Sequence, residues 1–227
     1  MLLNYRFKYP TLERVTLNNG KRYYTTPEGN QVSSVTTILS QTGDKSGLEN
    51  WKAFVGEKKA NEISKEASIL GTYTHTHLEK FVIGQPRPWI GNSLPIKVQA
   101  KKMADQVIEH GMPYVDEVWG SECALYCSSV YAGTTDLIGI HQGDESIIDY
   151  KTSSKMKTKS KILDYRDQLA AYAIAHDEMF NTNIKKGVVF MVSRDFQFEQ
   201  FIFEGLEFEE GKNSWLERLD LFLSQHG

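Results

Sequence analysis

Two runs rich in β-forming residues, Thr134 to Ile140 and Ser146 to Thr152, flank a polar segment, His141 to Glu145, that contains Gly143. That pattern predicts a β-hairpin at the centre of the chain. Upstream, Val115 to Tyr131 reads as one or two strands, and residues 15 to 33 alternate β-formers with the turn signals Asn19-Gly20 and Pro27-Glu28-Gly29. The latter predict a small amino-terminal hairpin carrying Tyr23 and Tyr24, placed as a lid or an edge. Ser33 or Ser34 caps a short helix that Gly43 ends. Leu48 to Ala67 reads as a charged helix with Trp51, Phe54 and Val55 on a narrow apolar side, and Ser68 to Val82 as a second helix. Residues 84 to 95, with Pro86, Pro88 and Pro95, form a connector before an amphipathic helix from Pro95 to His110 ended by Gly111. Ile162 to Phe180 is a further helix, Lys186 to Ser193 and Phe196 to Phe203 a strand pair, and Phe208 to Leu223 a carboxy-terminal helix. Strands and helices so interspersed predict an α/β (α+β) fold, a central mixed sheet flanked by helices.

The chain has 227 residues, 40% of them hydrophobic, enough to bury a full core. One domain over 1–227 is expected, with 1–67 as amino-terminal hairpin and helices and 68–227 as core. A formal net charge of -3 excludes a histone-like coat for nucleic acid, so any DNA contact needs a local basic surface. MLLNYRFKYP has neither the apolar core of a signal peptide nor the character of a transit peptide, and no run approaches a membrane span. A cytoplasmic protein with no membrane partner is the expectation. Cys123 and Cys127 lie in one predicted strand, where four residues cover about 13 Å, beyond the roughly 7 Å that a disulfide spans. They read as buried free thiols, and two cysteines are too few for an iron-sulfur cluster.

Chemistry enters at the central hairpin. If its tip is Gln142 and Gly143, paired positions sum to a constant and Asp136 stands opposite Asp149. Cross-strand partners have Cβ atoms about 5 Å apart, and like charges so placed are unfavourable unless a cation lies between them. Lys151, two residues on, shares the face of Asp149. A lone Asp-x-Lys is ordinarily a solvated surface pattern, but this one has company: GTYTHTHLE at residues 71–79, which sets His75 and Glu79 at i and i+4 on one helical face, and QLAAY at 168–172, which does the same for Gln168 and Tyr172. His77 lies about 200° around the helix from His75, so the two cannot share an ion.

GTxxHxxLE, GTTD, DYKT and QLAAY together resemble the PD-(D/E)xK nuclease superfamily, in the branch that holds the RecB nuclease domain, phage exonucleases and a mitochondrial genome maintenance exonuclease. SVTTIL with Leu48 and Trp51 resembles a segment ahead of the core in that branch. The resemblance implies a restriction-endonuclease-like core and a metal-dependent DNA exonuclease, acting at single-stranded or free ends in phage or bacterial replication, recombination or repair. A structure-specific endonuclease and a catalytically silent nucleic-acid-binding module are the alternatives. It further implies Asp136, Asp149, His75 and the backbone carbonyl of Tyr150 as ligands of one or two Mg²⁺ or Mn²⁺ ions, for which oxygen and mixed His/Asp donor sets are suited. Lys151 would position water or stabilise the phosphorane, with Gln168 and Tyr172 orienting substrate or the lysine. Glu79 would support His75, and Glu122 would serve structure first and metal second. Lys155, Lys157, Lys159 and Lys161 after the hairpin, and Lys97 and Lys101 on the preceding helix, are the candidate DNA contacts.

Overall fold

A computed structural model describes residues 1–91, 94–128 and 130–226. The elements run β1 (Leu2–Leu3), β2 (Glu13–Thr16), β3 (Arg22–Thr25), β4 (Gln31–Ser34), α1 (Val35–Thr42), α2 (Ser46–Val55), α3 (Glu57–Val82), α4 (Pro95–His110), β5 (Val115–Cys127), β6 (Tyr131–His141), β7 (Asp144–Ser153), α5 (Leu163–Phe180), β8 (Lys186–Ser193), β9 (Phe198–Glu204) and α6 (Gly205–His226). The nine described strands join one mixed sheet, as the interspersed pattern predicts. β8 is buried along its whole length, because it lies between β7 and β9 with helices on both faces. Val188 and Phe190 face the layer of α3 and α4, while Val189 and Met191 face α5 and α6.

The central hairpin has the expected register. Leu137 pairs with Ile148 and His141 with Asp144, leaving Gln142 and Gly143 as the two-residue tip. Both tip residues have positive φ, 51° and 87°, which is why an uncharged polar residue followed by glycine stands there. β6 has β5 along one entire edge. Its other edge changes partner: Tyr131 and Ala132 lie beside β4, and Leu137 to His141 beside β7. From Gly133 to Asp136 that edge has no strand partner among the described residues, and the sheet forks.

The amino-terminal strands form a three-strand meander rather than a hairpin, continuous with the main sheet through β4. It is the sheet's edge, one of the two placements expected. Its small core, Tyr24 and Val32 against Ala132, fastens it to β6.

Two expectations need correction. The helix boundary expected between Ala67 and Ser68 falls inside α3. The break lies instead at Gly56, whose φ of 84° a glycine adopts without strain and a helix cannot contain. Residues 67 and 68 hold no such breaker. α2 buries none of its residues, and Phe54 is 90% exposed. Cys123 is buried as expected, but Cys127 is only half-buried, its thiol donating to Glu178. Within the connector, Asn92 and Ser93 lie outside the described residues.

Candidate active site

The fork in the sheet opens into a cleft of about 430 Å³. Asp136 sits in the gap. Where β7 has moved away from β6, the backbone N–H of Tyr150 donates to Asp136 Oδ2 at 2.7 Å, so the carboxylate takes the place of a ladder acceptor. His75, carried by α3, sets Nδ1 3.2 Å from Asp136 Oδ1. On the other edge of β6, the pairs Ser121 with Leu137 and Cys123 with Thr135 place Glu122 across from Asp136. Glu122 has a φ of 53°, unusual for a non-glycine residue, which re-aims its side chain at the cleft.

Glu122, Asp136 and Asp149 therefore form a row of carboxylates across three adjacent strands. Register shifts in β5 precede this point, and one depends on a glycine: a Cβ on Gly139 would stand 1.9 Å from the Glu117 carbonyl oxygen. Gly133 instead makes room for a side chain, because a Cβ there would meet the Tyr172 ring at 2.6 Å.

Asp149 and Lys151, on one face of β7, are in contact at 2.6 Å. Gln168 from α5 bridges them, its Nε2 donating to Asp149 Oδ1 at 3.1 Å while its Oε1 accepts from Lys151 Nζ at 3.1 Å. The same amide lies 3.3 Å from the Tyr172 hydroxyl, so the QLAAY pair works as a unit. Lys151 also lies over the Tyr165 ring, 4.9 Å from its centroid.

The charges are unbalanced. Burial drives the Asp149 carboxyl up to about 6, with the negative Asp136 adding to it and Lys151 opposing it. Glu122 is pushed up to about 7 by desolvation at the crowded site and then by Asp136, although its side chain as a whole reaches solvent. Burial opposes the charge on His75, but the adjoining Asp136 carboxylate outweighs it and holds the imidazole up to about 9. For Asp136 itself burial acts upward, and the His75 and Lys151 charges bring it below the usual carboxylate range. Lys151 is held cationic by Asp149 and Asp136 against its burial.

Ligand atoms of His75, Glu122 and Asp136 lie within 4.8 Å of one another. One imidazole and two carboxylates, on three elements and short of positive charge, fit a divalent cation of the Mg²⁺ or Mn²⁺ class. Glu122, expected to serve structure first, joins this group, while Asp149 is engaged by Lys151 and Gln168. Glu79 lines the cleft one turn beyond His75. The six candidate DNA-contact lysines do not line it. Lys97 lies over Tyr73, Lys101 pairs with Asp105, Lys157 donates to the Tyr165 hydroxyl, and Lys159 pairs with Glu207. Lys155 and Lys161 are exposed. The cleft wall instead includes Arg14, Arg22 and Tyr24 of the meander. Sequence reasoning missed the two arginines, whose only signal was their recurrence among β-forming residues in a segment read as a lid or edge.

Residues 50–210 match the family model of the PD-(D/E)XK nuclease superfamily. The chain belongs to this superfamily. Its mixed sheet flanked by helices is the fold that the resemblance implies, and the central strands β6 and β7 with α5 fall inside the matched span. Mitochondrial genome maintenance exonuclease 1 of Mus musculus is 27% identical over 177 residues, which cover 73% of this chain and 51% of that protein. The Homo sapiens counterpart is 26% identical over 181 residues, 73% of this chain and 50% of that one. The chain thus spans about half the length of these mammalian relatives. A solved structure of a candidate exonuclease from Eubacterium rectale superposes with a TM-score of 0.51 at 12% identity, covering 70% of this chain and 65% of the other, a likeness of fold. As a member of this nuclease superfamily the chain is a hydrolase. No described helix is long and apolar enough to cross a membrane.

Proposed function

We propose that this chain is a divalent-metal-dependent DNA exonuclease that hydrolyses phosphodiester bonds from single-stranded ends, in DNA replication, recombination or repair. The observation that carries the reading is the carboxylate row Glu122, Asp136 and Asp149 in the fork of the sheet, with His75 against Asp136 and Lys151 against Asp149. The names of the mammalian relatives support the exonuclease part.

Asp136, His75 and Glu122 would hold the ion, with Asp149 adjacent. A divalent ion held there would supply acidification of water and neutralisation of phosphate charge. Lys151, cationic and fixed by Asp149 and Gln168, places a positive charge where the pentavalent phosphate gathers negative charge. Gln168 holds the lysine and the carboxylate in one geometry, and Tyr172 holds Gln168.

The test is incubation with Mg²⁺ or Mn²⁺ and linear single strands labelled at the 5′ or the 3′ end, beside circular single strands, with Lys151→Ala as control. Degradation of linear but not circular DNA, lost in the variant, is the expected result, and the labels give the direction. Cutting of circles would make the enzyme an endonuclease. Binding without metal-dependent cleavage of any substrate would make it a silent binding module.

A further inference from the structure

Arg14 and Arg22 are separated from the carboxylates in sequence, yet both line the cleft that contains them. The register explains how. Arg14 pairs with Tyr24 across β2 and β3, and Arg22 lies two residues before Tyr24 on β3, so the three side chains share one face of the meander. Tyr24 is buried, and its hydroxyl lies 3.1 Å from Thr134 Oγ1, two residues from Asp136. The backbone of Arg22 is tied to α1 through the Thr37 hydroxyl, which accepts from its N–H at 2.8 Å. The face is held over the site by a buried tyrosine and a helix.

The other arginines have carboxylate partners: Arg6 with Glu145, Arg87 with Asp105, Arg166 with Asp167, Arg194 with Glu66 and Arg218 with Asp164. Among the described residues Arg14 and Arg22 have none, and both side chains are exposed. The two guanidinium groups without an ion pair thus face the same cleft, whose floor is acidic. They stand at its rim, where they would attract an anion that the carboxylates alone would repel. A guanidinium presents a planar fork of donors that matches a phosphate.

We infer that Arg14 and Arg22 form a phosphate clamp that holds the sugar-phosphate backbone of the substrate strand beside the scissile bond. The inference rests on the nuclease reading and deepens it. It makes the amino-terminal meander the strand-holding wall of the cleft, and contact with phosphate alone makes that grip independent of base sequence.

The experiment measures binding in EDTA, apart from cleavage. Fluorescence anisotropy with a labelled oligothymidylate from 50 to 200 mM NaCl compares wild type, Arg14→Ala/Arg22→Ala, the double lysine variant, and Lys185→Ala, an exposed charge at the far end of the sheet. The double alanine variant should bind at least about tenfold more weakly. Its slope of log K against log salt should be shallower by about 1.4, two contacts at about 0.7 each for a single strand. The lysine variant should recover the slope and Lys185→Ala should match wild type. With metal present, KM should rise at nearly unchanged kcat. Equal losses on linear and circular strands would place the arginines on internal diesters, and losses on 5′-phosphorylated linear strands alone on a terminal phosphate; either supports the clamp. Wild-type affinity and slope in the double alanine variant, no binding by wild type at 50 mM NaCl, or a fall in kcat with KM unchanged would overturn it. Metal-dependent cleavage with an unaltered salt slope would sink the clamp and leave the nuclease reading intact. An altered slope in a protein that cleaves nothing would do the reverse.

Discussion

Asp167 and Gln168 are neighbours on α5, and each joins a buried ionic network on a different side of that helix. Asp167 accepts from Arg166 at 3.1 Å, from Ser214 at 2.7 Å and from Arg218 at 3.2 Å. Arg218 in turn bonds Asp164, Thr42 and the Leu39 carbonyl, tying α5 and α6 to α1. Every charge there faces an opposite charge or a donor. Gln168 leads instead to a group with three carboxylates, one lysine and one histidine, where two carboxylates are driven above their ordinary range. Buried charges that are matched stabilise a particular arrangement of helices, and removing one partner is costly. Buried charges left unmatched retain attraction for a cation. The imbalance, more than burial or hydrogen bonding, separates the candidate site from the structural clasp.

The largest effect should come from substituting one carboxylate in each network. Asp136→Asn keeps an acceptor for the Tyr150 N–H, and relief of repulsion from Asp149 and Glu122 offsets part of the attraction lost to His75 and Lys151, so cleavage should fall on the order of 10³-fold while unfolding free energy falls by about 1 kcal/mol. Asp167→Ala leaves Arg166 and Arg218 without their common partner and should cost about 3 kcal/mol of stability, with the specific activity of the folded fraction retained. Urea unfolding and initial rates measure both, and comparable destabilisation by the two would break the comparison. The next effect is metal-dependent. Mn²⁺ at 100 times its Kd should stabilise wild type by about 2.7 kcal/mol, raising Tm by roughly 5–10 °C. Asp167→Ala should keep that rise and Asp136→Asn should lose it. A rise that survives Asp136→Asn would move the ion elsewhere.

A pH-dependent effect concerns a third group on α5. His176 is buried, its ring nitrogens bonded to Tyr9 and Thr182, and burial, with the Arg6 charge adding to it, lowers its pKa to about 4. The unfolded chain, with an ordinary value near 6.5, binds more protons than the folded one as pH falls. Stability from this group is therefore complete above pH 6.5 and lost as pH drops toward 4, roughly 3 kcal/mol in all. His176→Gln should flatten that part of the stability profile without altering the metal-induced rise in Tm. An unchanged profile would remove His176 from the structural side.

The sequence by itself determined the hairpin and its register, because two residues with positive φ between β-forming runs admit few alternatives and side chains alternate with a period of two. Lys151 beside Asp149, and the pairs His75 with Glu79 and Gln168 with Tyr172, followed from local periodicity alone; the expected cross-strand pair of Asp136 with Asp149 did not form, because the ladder ends at Leu137 and Ile148 and Asp136 instead accepts from the Tyr150 N–H through its side chain. The helix ends at Gly43 and Gly111 were legible from residue type, and the cap was narrowed to Ser33 or Ser34, of which Ser34 accepts from the Thr37 N–H. Tertiary structure decided what depends on pairing between distant segments. Glu122 reached the cluster with His75 and Asp136 through shifts in β5 and a positive φ, neither of which residue type announces. Arg14 and Arg22 reached the cleft because β4 joins β6 across nearly a hundred residues of chain, at the point where β7 leaves it. Local rules place a side chain on a face of its own element, but which faces meet is set by long-range burial, and at this fork that meeting assembled the site.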